Sequence, residues 1–264
     1  NTLASNAAAP VAVTNKYLLY TPTANWNGKA TFNYYVQDPS SLTSVSTITV
    51  LVNPVNDLPT SQNITLRTNE DTSITFTPTA TDIDGDVLTF EIVSLPIVGS
   101  VVRTTDNAPI SVGKFVINPD TWTMKYTPPP NQYSVGTPLT TFTFKVNDGV
   151  SPSPIYTVSI YVDPVNDPPT ASNFGVTTPE DTNVTISFTA DNIGDVDNEL
   201  SELKVYIKSP PLNYLCRLVE GTTVITSSNV LLSSKNITFQ PSKDQHGIVS
   251  FTYYVKDPSG LISN

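Results

Sequence analysis

The groups in this sequence whose type and spacing could do chemistry are carboxylates and amides, gathered at fixed intervals. Residues 53–60 read N-P-V-N-D-L-P-T, and residues 163–170 read D-P-V-N-D-P-P-T. Between them stands A-T-D-I-D-G-D, with Asp82, Asp84 and Asp86, and after them come Asp195 and Asp197. Two E-D-T segments begin at Glu70 and Glu180, and single acids stand in turn-like sequence at Asp148 and Asp257. Carboxylates brought together repel unless neutralised, and a hard cation with roughly six to eight oxygen ligands answers that need, which makes calcium the expected metal. D-I-D-G-D is not an EF-hand loop, because Gly85 is misplaced and the twelfth position is Val93 rather than Glu. The same residues also form turns with no metal at all, by bonding their own backbone.

The elements that position these groups follow from the spacing of prolines and apolar residues. Proline donates no ladder hydrogen bond and restricts the residue before it, so the two P-V-N-D segments read as stiff linkers between repeats. Around them apolar residues alternate with a period of two. Phe32, Tyr34 and Val36 share one half-buried face, and Ile48, Val50 and Val52 share another. Phe142, Phe144 and Val146, then Val158, Ile160 and Val162, return in the same register, and Phe251, Tyr253 and Val255 begin a third copy. Strands are also expected over 17–28, 64–67, 73–77 and 88–93 and around Leu203, Val205 and Ile207. About seven short strands per repeat, with no helical period, predict an antiparallel β-sandwich.

The expected domains are a partial repeat over 1–56, its back half; a complete repeat over 57–166; and a repeat over 167–264 that lacks its last strand. With strands named A to G, the A–B connection falls at the exit end of a sandwich, and B–C and F–G at the entrance. The second junction then gathers Glu70 and Asp71, the linker residues Asp163, Asn166 and Asp167, and Asp195, Asp197 and Asp257. The first gathers Asn53, Asn56, Asp57, Asp82, Asp84, Asp86 and Asp148.

The chain has 264 residues with a net charge of −10, although only 14% of them are charged. That balance argues against nucleic acid as a partner, which needs clustered Lys and Arg. One cysteine, Cys216, forms no internal disulfide framework, and no apolar run is long enough to span a membrane. An export signal or anchor is expected to lie outside this sequence.

Y-T-P-T-A-N-W-N-G-K-A-T-F-N-Y-Y-V-Q-D, the P-V-N-D junctions, the E-D-T openings and A-T-D-I-D-G-D together resemble the bacterial-type cadherin-like and immunoglobulin-like tandem repeats of large surface adhesins and extracellular fibre proteins. The resemblance covers nearly the whole chain. It implies an all-β fold of tandem immunoglobulin-like (cadherin-like) antiparallel sandwiches in a rod, with calcium at the junctions. In cadherins a Glu near the start of one domain, an Asp/Asn-rich linker and a D-x-D of the next domain bind calcium together. Those places match Glu70; Asp163, Asn166 and Asp167; and Asp195 and Asp197. The cadherin D-R-E element has no counterpart, its loop holding Asn131 and Gln132.

Other readings are weaker. Cys216 and His246 could form a nucleophilic pair, but no orienting or oxyanion signature accompanies them, and a core cysteine with a loop histidine is the simpler account. No hydrolase, zincin, P-loop or dinucleotide fingerprint is present. The acid pairs sit at junctions rather than in a glycosidase-like cleft. Sequons occur at Asn63, Asn183 and Asn236, no more than this composition yields by chance. Tyr35, Tyr206 and Tyr254 should face outward, where aromatics can contact sugars or subunits. The expectation is a non-catalytic, extracellular structural or adhesive protein at the cell surface. Its partners would be other copies of itself, neighbouring repeats or surface glycans. Its incomplete end repeats suggest fibre formation by strand complementation. The alternative is spacer or carbohydrate-binding modules of a larger secreted enzyme.

Overall fold

The computed structural model describes residue 13 and residues 17–115, 123–211 and 215–264, and every described element is a strand. By its contacts the chain divides into two units, Asn1–Val162 and Asp163–Asn264.

The first unit opens with a hairpin, β1 (Gly28–Gln37) and β2 (Thr43–Val52), paired in register along its whole length. Asp38 builds the turn, its Oδ1 accepting the N–H groups of Ser40 and Leu42. Phe32, Ile48, Val50 and Val52 are half-buried, as their alternation predicts, whereas Tyr34 and Val36 are exposed. The strand expected over 17–28 does not form; Gly28 begins β1, and the residues before it are irregular and largely exposed. Pro22 donates no ladder hydrogen bond and Asn25 turns the backbone left-handed (φ 60°), which breaks the segment before β1.

The rest of this unit is a sandwich of β3 (Ile64–Asn69), β4 (Ile74–Phe76), β5 (Thr89–Ser94), β6 (Ser100–Arg103), β7 (Gly113–Phe115), β8 (Met124–Thr127), β9 (Thr140–Asn147) and β10 (Tyr156–Asp163). One sheet has the order β3-β10-β9-β5-β7 and the other β4-β8-β6. Their inner faces close over one core. Phe90, Phe142, Phe144, Val146, Val158, Ile160 and Val162 all have no solvent exposure, in agreement with the period-two reading.

The second unit repeats the plan with β11 (Thr170–Ala171), β12 (Val184–Ser187), β13 (Ile193–Gly194), β14 (Lys204–Ser209), β15 (Cys216–Glu220), β16 (Thr223–Val224), β17 (Val230–Leu231), β18 (Asn236–Pro241) and β19 (Thr252–Lys256). Its sheets are β12-β18-β15-β16 and β17-β14-β19, with β11 and β13 pairing near the start. Leu203, Val205, Ile207 and Val255 are in its core. Phe251, expected on the penultimate strand, lies one residue outside β19 and is half-buried.

Candidate metal site at the entrance of each repeat

Each P-V-N-D linker makes the same three contacts, two to the sandwich that follows it and one within the linker. The Asn56 amide donates to Asp148 Oδ2 at 2.9 Å and to its own neighbour's carbonyl, Asp57 O, at 2.9 Å. In the next repeat Asn166 donates to Asp257 Oδ2 at 2.6 Å and to Asp167 O at 3.0 Å. The third contact runs from linker backbone to the B–C loop: Asp57 N–H to Asp84 Oδ2 at 2.8 Å, and Asp167 N–H to Asp197 Oδ2 at 2.7 Å.

Asp148 and Asp257 hold the turn after β9 and β19. Asp148 Oδ1 accepts the N–H groups of Val150 and Ser151, and Asp257 Oδ1 those of Gly260 and Leu261. Both are buried. The Ser151 N–H, then the Asn56 amide, hold the Asp148 carboxyl below the usual range against the opposing effect of burial. At Asp257 burial is the largest influence and pushes upward, but the donors Asn166, Ser259, Gly260 and Leu261 together outweigh it, and the carboxyl is again lowered. These two acids, expected as cation ligands, thus hold the linker amide and shape a turn.

The B–C loop differs. Asp82, Asp84 and Asp86 bring carboxylate oxygens within 4.8 Å of one another, with Asp82 half-buried and the other two exposed. Asp82 Oδ1 accepts the Asp84 N–H at 2.8 Å, a turn-forming bond, but its Oδ2 is buried with no donor. In the second unit Asp195 Oδ1 accepts the N–H groups of Asp197 and Asn198, and Asp195 Oδ2 and Asn198 Oδ1 are buried with no donor. A buried oxygen without a donor is costly, and a cation is one way to satisfy it. Asn198 was not among the expected ligands; aligning D-I-D-G-D with D-V-D-N-E, in which Asn198 stands at the position of Gly85, is the signal that finds it.

Of the remaining candidates, Asn53 is exposed, and Asp163 ends β10 half-buried. Glu70 is buried in the first unit. Asp71 is a left-handed turn residue (φ 57°) whose Oδ1 accepts the Asn131 N–H at 3.1 Å. Asp181 repeats this with Asp244 at 2.9 Å, so the E-D-T aspartates tie two loops at one end of each sandwich. Asn63, Asn183 and Asn236 are exposed. Asn63 Oδ1 accepts the Thr157 N–H at 2.8 Å. Cys216 is buried and its thiol is pushed up by desolvation, unlike an activated nucleophile. Tyr206 and Tyr254 stack face to face, 4.9 Å apart and 2° from parallel, as directly paired residues of β14 and β19, while Tyr35 is exposed.

Among the described residues no helix is long and apolar enough to cross a membrane. The sequence profile of the family described as bacterial Ig domain matches residues 2–51, 56–161 and 166–264. No curated protein is similar in sequence. Among solved structures, similarity extends to domains 4 and 5 of the S-layer protein SbsC (16% identity, 51% of this chain and 58% of that one, TM-score 0.24). It extends also to extracellular cadherin domains 1–4 of protocadherin gamma B7 (14%, 85% and 53%, TM-score 0.38) and to the I67–I69 fragment of the titin I-band (11%, 89% and 70%, TM-score 0.31). The chain thus spans little more than half the length of the first two.

Proposed function

The chain belongs to the bacterial Ig domain family, matched three times along its length, and from that premise we propose that it is a non-catalytic extracellular structural or adhesive protein whose junctions bind calcium. The observation that carries the metal is the buried, donor-less Oδ2 of Asp82 beside Asp84 and Asp86, repeated as Asp195 Oδ2 and Asn198 Oδ1. These are oxygen donors only, the set a hard cation takes. Asp82, Asp84 and Asp86 would hold one ion, and Asp195, Asp197 and Asn198 another. When bound, calcium supplies charge neutralisation and rigidity. The backbone N–H contacts of Asp57 and Asp167 to Asp84 and Asp197 place P-V-N-D against the same loops, so ordering the loop orders the linker. End-to-end assembly of copies by strand sharing belongs to the same reading.

Calorimetric titration of calcium into the metal-free chain tests the site, alongside small-angle scattering with calcium and with EGTA. Binding heat lost stepwise in Asp82→Asn and Asp195→Asn, with a larger maximum dimension and a higher Tm in calcium, is the expected result. No heat, with dimension and Tm unchanged, sinks the calcium reading.

A further inference from the structure

The B–C loop of the first unit contains a peptide bond, Asp84–Gly85, between the residue types most open to imide formation: a short carboxylic side chain, then a nitrogen that no Cβ shields. Bonds from Asp or Asn to Gly occur in the chain at 27–28, 84–85 and 148–149, and their surroundings differ. At 84–85 both reacting groups are open. Asp84 and Gly85 are exposed, and among the described residues the Gly85 N–H has no acceptor. The Asp84 carboxyl makes one bond, through Oδ2 to the Asp57 N–H at 2.8 Å, which leaves Oδ1 unengaged. Gly85 stands at φ 81° with nothing within 4 Å of the place a Cβ would take, so no neighbour obstructs ring closure there. At 148–149 the same pair is locked. The Gly149 N–H donates to Asn147 Oδ1 at 2.7 Å, and Asp148 is buried with both oxygens occupied, by Val150, Ser151 and Asn56. In the second unit's B–C loop Asn198 stands where Gly85 does, and its N–H donates to Asp195 Oδ1 at 3.0 Å. Asn27–Gly28, at the start of β1, would lose ammonia, so its product changes in mass and is told apart from that of Asp84.

We infer that Asp84–Gly85 is a site of spontaneous backbone isomerisation, at which Asp84 becomes isoaspartate and the B–C loop of the first unit loses its hold on the linker. The Gly85 nitrogen attacks Asp84 Cγ. A C–N bond forms, a C–O bond of the carboxyl breaks, and the oxygen departs as water with the carboxyl proton and the Gly85 amide proton. One water then opens the imide. Opening at the former main-chain carbonyl of Asp84 leaves the chain running through Cβ and Cγ, one carbon longer and unchanged in mass. Cγ is then a peptide carbonyl, so the carboxylate that accepts the Asp57 N–H and stands within 4.8 Å of those of Asp82 and Asp86 is no longer there. The first unit's loop is thus disabled one way, by age, while the second unit's loop, with Asn198 in place of the glycine, is spared. The reaction needs the loop alone. Its slowing by calcium rests on the metal reading above, because a carboxylate held by a cation does not give up an oxygen as water.

The test is to age the whole folded chain at neutral pH, in EGTA and in calcium, and to follow isoaspartate by enzymatic methylation with an isoaspartate methyltransferase and by fragmentation mass spectrometry of the peptides. Isoaspartate is expected to accumulate at residue 84 in EGTA, with little at 148 or 197. At calcium about ten times its Kd the rate at residue 84 should fall roughly tenfold, since only the metal-free loop reacts. Gly85→Asn copies the second unit's loop and keeps a residue that tolerates left-handed φ, and it should suppress the product. Asp84→Glu, which would need a larger ring, should do the same. Residue 84 remaining aspartate in EGTA, or product forming as fast at residue 148 in the folded chain, overturns the inference. So does product at residue 84 undiminished in both variants, since it would not come from this bond. Accumulation at residue 84 at equal rates in calcium and EGTA supports the isomerisation and sinks calcium's hold on Asp84.

Discussion

Asn166 donates a 2.6 Å hydrogen bond to Asp257 across 91 residues of chain, and Asn56 reaches Asp148 in the same way across 92. In each repeat, one linker amide touches the last turn. Truncating it leaves a buried carboxylate short of a donor, a costly loss. Asn166→Ala and Asn56→Ala are each expected to lower Tm by about 5 °C, and Asn166→Asp, which sets two acids together, by more. Calorimetric melting in EGTA reads the effect without metal.

Acid should weaken both repeats through the same contacts. Asp148 and Asp257 have folded pKa values below the ordinary 3.8. Their contribution to stability is therefore complete above the unfolded value and is lost as pH falls through the lower folded value. Tm in EGTA should stay flat from neutrality down to about pH 5 and then decline. An Asp148→Asn, Asp257→Asn double variant should start lower and decline less steeply.

Two glycines with left-handed φ separate strain from crowding. Gly85, at φ 81°, has nothing within 4 Å of an added Cβ, whereas at Gly99, φ 77°, that carbon would meet Tyr126 Oη at 2.5 Å and Thr127 O at 2.7 Å. Gly85→Ala should cost about 1 kcal/mol. Gly99→Ala should cost at least about 2 kcal/mol, because it also displaces a buried tyrosine that hydrogen-bonds Val98 O. Urea unfolding curves distinguish the two.

Tyr206 stacks on Tyr254, which gives the outward aromatics of that sheet a packing role. Tyr206→Ala should lower stability by about 1–2 kcal/mol. If the pair also contacted sugars, the variant would lose signals on a glycan array; unchanged array binding beside lowered stability is the expected outcome.

The strand faces were legible in the sequence because burial on a sheet leaves a period of two, and Phe142, Phe144, Val146, Val158, Ile160 and Val162 all follow it. Residues 17–28 misled because apolar content without that period does not make a strand: Pro22 interrupts the segment, and Tyr17 and Leu19 remain 81% and 85% exposed. At the junctions the sequence grouped acids and amides by the end of the sandwich on which their loops fall. Division of labour among them depends on which oxygens already have donors: Asp148 and Asp257 are occupied on both oxygens, while Asp82 Oδ2 and Asp195 Oδ2 are buried without one. That distinction is tertiary, as is the burial of Glu70.

The bond between Asn166 and Asp257 also fixes an order of events. Its partners come near the beginning and the end of a repeat, so on a ribosome the linker emerges long before the turn that will hold it. A repeat can be fastened to its own leader only after its penultimate strand is out, and until then the junction stays loose. Synthesis thus proceeds with every finished junction behind the growing end already locked and the newest one still open.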